Sequence, residues 1–327
     1  MINLEGDNLI KIYQTYLDKG KNYFLNNNFL KAFMFFTRAL TIGELKEDRE
    51  LIILAKKEIA NLQFKTRDLR KAMEFYTDLM EYKDFVDEKD IIQFQNRIGL
   101  INLFMGKYSK ASDIFENLCT SQSTLAKRKA FNNMGVVHYY RYKYFDEECI
   151  DKALRNFQKA YQFSIEDRLM QHKSLKNMGM ALYEKKDFST ALDKLKRSLL
   201  FADTYQQKAD SLNEIAKVNI ELLEYQEAQE CLRKAEKILL NAGDGSLIEL
   251  SRNLFINGLL AKKQGRTETA YSHFQAALQG FIEKEIYTEA VLASRAIYKM
   301  FKEANPERAN FYADQYKFYL NYLDPMD

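Results

Sequence analysis

Small and apolar residues recur along this chain at one fixed spacing. Twelve, sixteen and nineteen residues after Gly20 stand Ala32, Phe36 and Ala39. The same offsets lead from Ala60 to Ala72, Tyr76 and Leu79, from Gly99 to Ala111, Phe115 and Leu118, and from Gly179 to Ala191, Leu195 and Ser198. They lead again from Ala216 to Ala228, Leu232 and Ala235, and from Gly258 to Ala270, Phe274 and Ala277. Gly135 joins the series once about six residues are taken as inserted within YKYFDEEC, which brings Ala153, Phe157 and Ala160 into place. Steps of four and three residues put a set on one face of an α-helix. Each set therefore reads as a helical hairpin. A small residue on the first helix lets the second approach, a small residue on the second accepts it, and the aromatic or leucine one turn later fills the wedge toward the next repeat.

One such hairpin alone leaves an apolar face exposed, and stacking hairpins buries it, so the pattern predicts an array. The motif resembles the tetratricopeptide repeat, including the apolar residue four positions before the mark at Tyr16, Phe131, Leu175, Leu212 and Leu254. The resemblance runs from residue 13 to about 280. The marks lie 36 to 44 residues apart, longer than the usual unit of about 34, so longer helices or turns absorb the excess. The predicted fold is all-α: a right-handed superhelical solenoid of about seven to eight hairpins. Residues 13–285 form the repeat array and residues 286–327 a divergent C-terminal capping hairpin, in which Ala296 and Ala309 are the weak match. Asn305 is placed to cap the last helix and Pro306 to open it. On that helix Tyr312, Tyr316 and Tyr319 share a face that can pack inward, whereas Phe311, Phe318 and Tyr322 fall on another. An aromatic outer face on a terminal repeat predicts a contact surface, for a partner protein or for a second copy in a homodimer.

Composition agrees with the array. Two prolines and twelve glycines in 327 residues leave few helix breakers. Lys plus Arg at 49 against Asp plus Glu at 46 gives a formal charge of +3. That balance argues against nucleic acid or an anionic membrane as the main partner. The run HYYRYKYF at 138–145 mixes bases and aromatics as single-strand nucleic-acid sites do, but its period fits a first helix with snorkelled basic side chains. The first twenty residues carry no apolar core of signal-peptide length and no stretch approaches a membrane span, which predicts a cytoplasmic protein. Cys119, Cys149 and Cys231 are odd in number and far apart, so they are expected as reduced, structural thiols. His138, His172 and His273 lack metal-ligand spacing, and no nucleophile elbow, Walker loop or dinucleotide fingerprint is present. No catalytic residue, metal or cofactor is expected, and the protein is read as a binder, not an enzyme.

The candidate chemistry lies two and three residues before the small marks, at positions expected to face the concave groove of such an array. FNNMG at 131–135 and LKNMG at 175–179 place amides there. Across the middle repeats these positions hold Asn96 and Arg97, Asn132 and Asn133, Lys176 and Asn177, then Asn213 and Glu214. Asparagine offers a donor and an acceptor, so a row of them at repeat spacing can clamp an extended peptide backbone whatever its side chains. One turn to either side, Lys129, Lys173, Lys217 and Tyr140 suit an acidic side chain or a free carboxylate. The alternative is that the amides bond between adjacent first helices and serve only the stack.

Hairpins of about 40 residues, the phrase IEDRLMQHKSLKNMGMALYEKKDFSTALDKL and the asparagines together resemble the peptide-binding domains of quorum-sensing receptors of the Rap, NprR and PlcR group. The resemblance implies a cytosolic receptor whose groove takes a short signalling peptide through asparagines of first helices. Asn133 and Asn177, in their N-M-G contexts, are the best counterparts; Asn96, Asn132 and Asn213 match less well. With repeats starting by about residue 13, no N-terminal effector module of that group is expected here. A general scaffold or adaptor that holds a partner protein is the competing expectation.

Overall fold

The computed structural model describes residues 2–241 and 247–323, and the side chains from residue 8 onward. These residues form sixteen α-helices, with no strand among them. They fall into two units, divided after Ile101.

The first unit holds α1 (Ile2–Leu25), α2 (Phe29–Leu45), α3 (Arg49–Lys65), α4 (Leu69–Glu81) and most of α5 (Glu88–Phe104). Its core joins Tyr13 and Leu17 of α1 to Phe36 of α2 and Ile59 of α3. The second unit holds α6 (Tyr108–Thr120) and five hairpins. These pair α7 (Thr124–Tyr144) with α8 (Cys149–Gln162), α9 (Arg168–Glu184) with α10 (Phe188–Leu200), and α11 (Tyr205–Glu221) with α12 (Tyr225–Asn241). The last two pair α13 (Leu247–Lys263) with α14 (Thr267–Glu283), and α15 (Tyr287–Phe301) with α16 (Pro306–Leu320).

The small marks are small because the residue sixteen positions on lies against them. A Cβ added at Gly20 would meet the Phe36 ring at 2.5 Å, one at Gly258 the Phe274 ring at 2.6 Å, and one at Gly179 the Leu195 side chain at 2.5 Å. At Gly135 the obstacle is Phe157. Every alanine at the twelve-residue offset is fully buried.

A turn of constant design joins the two helices of most hairpins. The residue seven after the mark takes a left-handed conformation at Asn27, Arg67, Gly106, Lys186, Leu223 and Gly265, with φ between 57° and 75°. The next N–H bonds back five residues, as from Asn28 to the Tyr23 carbonyl (2.9 Å) and from Asp187 to the Leu182 carbonyl (3.0 Å), which satisfies carbonyls the helix end would orphan. Where that next residue is Asn28, Asp68 or Asp187, its side chain also caps the following helix. The inserted repeat departs from this design. There α7 runs nine residues past Gly135, against five past the mark in α9, α11 and α13, so the insertion adds a helical turn.

The extra turn closes the second unit on itself. Tyr144, in the added turn, donates its hydroxyl hydrogen to the Thr288 carbonyl of α15. Tyr140, one turn earlier, reaches the Glu289 carboxylate at 3.5 Å. Tyr108 of α6 is fully buried and stacks on Tyr140 with ring centroids 6.4 Å apart. Buried Leu323 lies against Gly106, where a Cβ would come within 2.9 Å of it. The last hairpin thus reaches α7, and the residues after it the turn before α6, while α15 packs on α14. On α16, Tyr312 and Tyr319 are buried, Tyr316 is half-buried, and Phe311 and Phe318 are exposed; Tyr322, in the turn after it, is exposed as well.

Candidate ligand cavity

The first helices of the second unit, α7, α9, α11, α13 and α15, enclose a cavity of about 450 Å³. That volume lies within the range of about 300 to 1,000 Å³ typical of small-ligand sites. One part of its wall is apolar, with Val136, Met180, Phe255, Ile256, Leu259, Phe281 and Leu292. The rest carries four cations, Lys143, Lys176, Lys217 and Arg252, and four anions, Glu184, Asp210, Glu214 and Glu289.

Seven of the eight charges pair across successive first helices, and Glu214 pairs with Lys217 of its own helix. Around Glu184 are Lys143 (2.5 Å), Lys217 (3.8 Å) and the Tyr139 hydroxyl (3.1 Å). Lys217 also faces Glu214 at 3.6 Å and stands 4.1 Å above the Tyr183 ring. Around Arg252 are Glu289 (3.0 Å) and Asp210 (3.8 Å), and Asp210 pairs in turn with Lys176 at 2.5 Å. Burial penalises a charge, and the partners decide the outcome. Burial would raise Glu184, but Lys217 and Lys143 outweigh it and hold the carboxyl below its usual range. Burial would likewise raise Asp210, and Lys176 and Arg252 lower it. Glu214 and Glu184 overcome the desolvation of Lys217, and Glu289 and Asp210 that of Arg252, so both stay firmly charged. At Lys143 desolvation wins, helped by Lys217, and its pKa falls despite Glu184. Burial pushes the Tyr183 phenol up to about 12.

Five of the groove positions singled out in the sequence line this cavity: Tyr140, Lys176, Asn177, Glu214 and Lys217. The other amides of the second unit lie between helices. Asn132 is buried and accepts a hydrogen bond from the Asn177 amide at 3.0 Å, and Asn133 is buried beside it. Asn213, only 1% exposed, accepts from Asn253 at 2.8 Å, while its own amide nitrogen has no partner. Lys173 is exposed on α9 and does not line the cavity. Asn96 and Arg97 belong to the first unit, where Asn96 is buried and Arg97 lies over the Phe64 ring at 4.3 Å. The run at 138–145 supplies Tyr139, Tyr140 and Lys143 to the cavity.

Three of the four anions, Glu184, Asp210 and Glu289, together with Lys143 and Arg252, were not among the groove positions expected from the sequence. The signal was present. Asp210 and Arg252 stand six residues before their marks, the register of Lys129 and Lys173, and Glu184 stands five after its mark, the register of Tyr140.

Among the described residues no helix is long and apolar enough to cross a membrane. The three cysteines are free, and burial pushes the thiols of Cys119 and Cys149 up to about 11.

No family model matches the sequence, and no curated protein matches it. Solved structures do. The Rap conjugation gene regulator of plasmid pLS20, in complex with the Phr* peptide, aligns over 95% of this chain and 98% of its own at 13% identity, with a TM-score of 0.64. The apo form of the quorum sensor NprR from B. thuringiensis aligns over 95% and 87% at 13% identity, with a TM-score of 0.64. A Rap protein complexed with Competence and Sporulation Factor aligns over 83% and 77% at 13% identity, with a TM-score of 0.62. At such identity the likeness is one of fold: the chain has tetratricopeptide-type helical hairpins like those of Rap and NprR.

Proposed function

We propose that this chain is a binding protein whose second unit holds a short peptide in the cavity between its first helices, as a receptor or regulator in peptide signalling. One observation carries the reading: consecutive first helices converge four cations and four anions beside an apolar wall on one cavity. A peptide brings an ammonium group, a carboxylate, amides and apolar side chains, and each has a counterpart there. The fold neighbour solved in complex with the Phr* peptide supports it. A chamber of about 450 Å³ holds a ligand of a few residues, not a long extended segment.

The competing reading is an adaptor for a partner protein, and the exposed aromatic face of α16 favours it. Native mass spectrometry of protein purified from its source cells separates the two. A co-purifying peptide below about 1 kDa, released on denaturation and protecting the second unit against heating by mass action, is the expected result. A stoichiometric protein partner with an empty cavity would favour the adaptor.

A further inference from the structure

Among the described residues Arg252 is the one arginine that lines the cavity, and its nearest anion, Glu289, belongs to the last hairpin. Its Nη2 lies 3.0 Å from Glu289 Oε1, while its Nη1 is 3.8 Å from Asp210, a carboxylate that already has Lys176 at 2.5 Å. Arginine presents a planar fork suited to carboxylates, which the lysines of the cavity do not. Glu289 is held there by Arg252 and, at 3.5 Å, by the Tyr140 hydroxyl. Glu289 stands in the first turn of α15, so a carboxylate freed from Arg252 keeps the favourable field of a helix N-terminus. The apolar wall beside this pair includes Phe255, Phe281 and Leu292.

The geometry points to a carboxylate subsite centred on Arg252, with the Glu289 side chain as its internal occupant, which a ligand carboxylate displaces. The inference rests on the cavity being a ligand site and adds the group that the ligand must carry: a carboxylate within reach of an apolar substituent. It also couples binding to closure of the unit. Glu289 is a side-chain link between α15 and α7, beside the bond from Tyr144 to the Thr288 carbonyl. Displacing Glu289 leaves the last hairpin held on α7 by one link fewer.

The test uses 3-phenylpropionate and its neutral analogue 3-phenylpropionamide as probes, titrated calorimetrically into the full chain. Wild type binds the carboxylate in preference to the amide. Glu289→Gln, which removes the internal competitor and keeps the shape, binds the carboxylate at least tenfold more tightly and leaves amide affinity unchanged. Tyr140→Phe, which loosens Glu289 without touching its charge, shifts carboxylate affinity in the same direction by less. Arg252→Gln abolishes the preference. Hydrogen exchange at the start of α15 rises when the carboxylate binds. Equal affinities of wild type and Glu289→Gln for the carboxylate overturn the inference, as does binding of neither probe. Equal binding of amide and carboxylate overturns the subsite while leaving the cavity as a ligand site. Absence of any co-purifying peptide together with loss of both probes removes the cavity reading as well.

Discussion

At the scale of single residues, the small marks decide how close two helices can come. The Leu195 side chain and the Ala191 carbonyl stand where a Cβ on Gly179 would go, at 2.5 and 3.1 Å. Gly179→Ala should therefore destabilise by about 1 to 3 kcal/mol through overpacking, read as a lowered denaturant midpoint. Adding Leu195→Ala should recover part of that loss, and additive losses in the double variant would show that the two sites do not touch. The left-handed turn residues make the opposite prediction. Leu223 holds φ +64° and is 65% exposed, so it strains the backbone and packs little. Leu223→Gly should raise stability by up to about 1 kcal/mol, the strain relieved less the extra entropy of the unfolded glycine; a lower melting temperature would contradict it. His138 gives the chain an acid sensitivity. Burial, with Arg141, Lys152 and Arg155 nearby and Asp146 opposing, lowers its pKa to about 4 from 6.5. The unfolded chain then binds the proton first, so stability rises with pH across this window and is lost as pH falls from about 6.5 to 4. The slope is at most about 1.4 kcal/mol per pH unit for one group. His138→Gln should flatten that part of the stability profile, and His172, lowered by its own burial, should leave a residual slope.

At the scale of elements, the extra turn of α7 separates this hairpin from its neighbours. It carries Tyr144 to the Thr288 carbonyl, which makes α15 lean on α7 as well as on α14. Tyr144→Phe should cost about 1 kcal/mol and speed amide exchange in α15 and α16 while leaving α9 to α12 unchanged. Uniform change over all these helices would show that the bond does not close the unit. The amide pairs do comparable work between first helices. Asn177 donates to Asn132 across α9 and α7, so Asn177→Ala leaves the buried Asn132 oxygen unpaired. The variant should lose about 1 to 3 kcal/mol of stability, and because Asn177 also lines the cavity it should weaken peptide binding. Normal binding with lowered stability would assign the amides to the stack alone.

At the scale of the whole molecule, the charges of the second unit converge on the inside and the aromatics of its last helix turn outward. Phe311 and Phe318 of α16 and Tyr322 just beyond it are each at least half exposed, a face where a second copy of the chain is expected to pack. Sedimentation of wild type and Phe318→Glu at micromolar concentration checks this. A dimer that the substitution dissociates is the expected result, and a monomeric wild type would leave the face to another partner.

How much of this was readable in advance varies with the range of the interaction. Helix, hairpin and repeat were legible because they depend on residues three, four and sixteen positions apart: Gly20 and Phe36, or Gly258 and Phe274, meet within one hairpin and leave a local spacing in the chain. The faces of α16 were legible for the same reason, since helical period alone separates Tyr312 and Tyr319 from Phe311 and Phe318. Repeat spacing also located first-helix positions that reach the cavity, Tyr140, Lys176, Asn177 and Lys217. It did not distinguish them from Asn132 and Asn213, which lie on the same helices but turn toward the next first helix and pair there. That choice depends on the rotation of each helix against its neighbours, which is set by packing along the whole unit and leaves no mark at either residue. The ring of paired charges was decided by the tertiary structure alone. Arg252 meets Asp210 from 42 residues away and Glu289 from 37, and Tyr140 meets Glu289 across 149. Stacking of successive repeats brings Arg252 to its two carboxylates, and only the return of the last hairpin onto α7 brings Tyr140 within reach of Glu289.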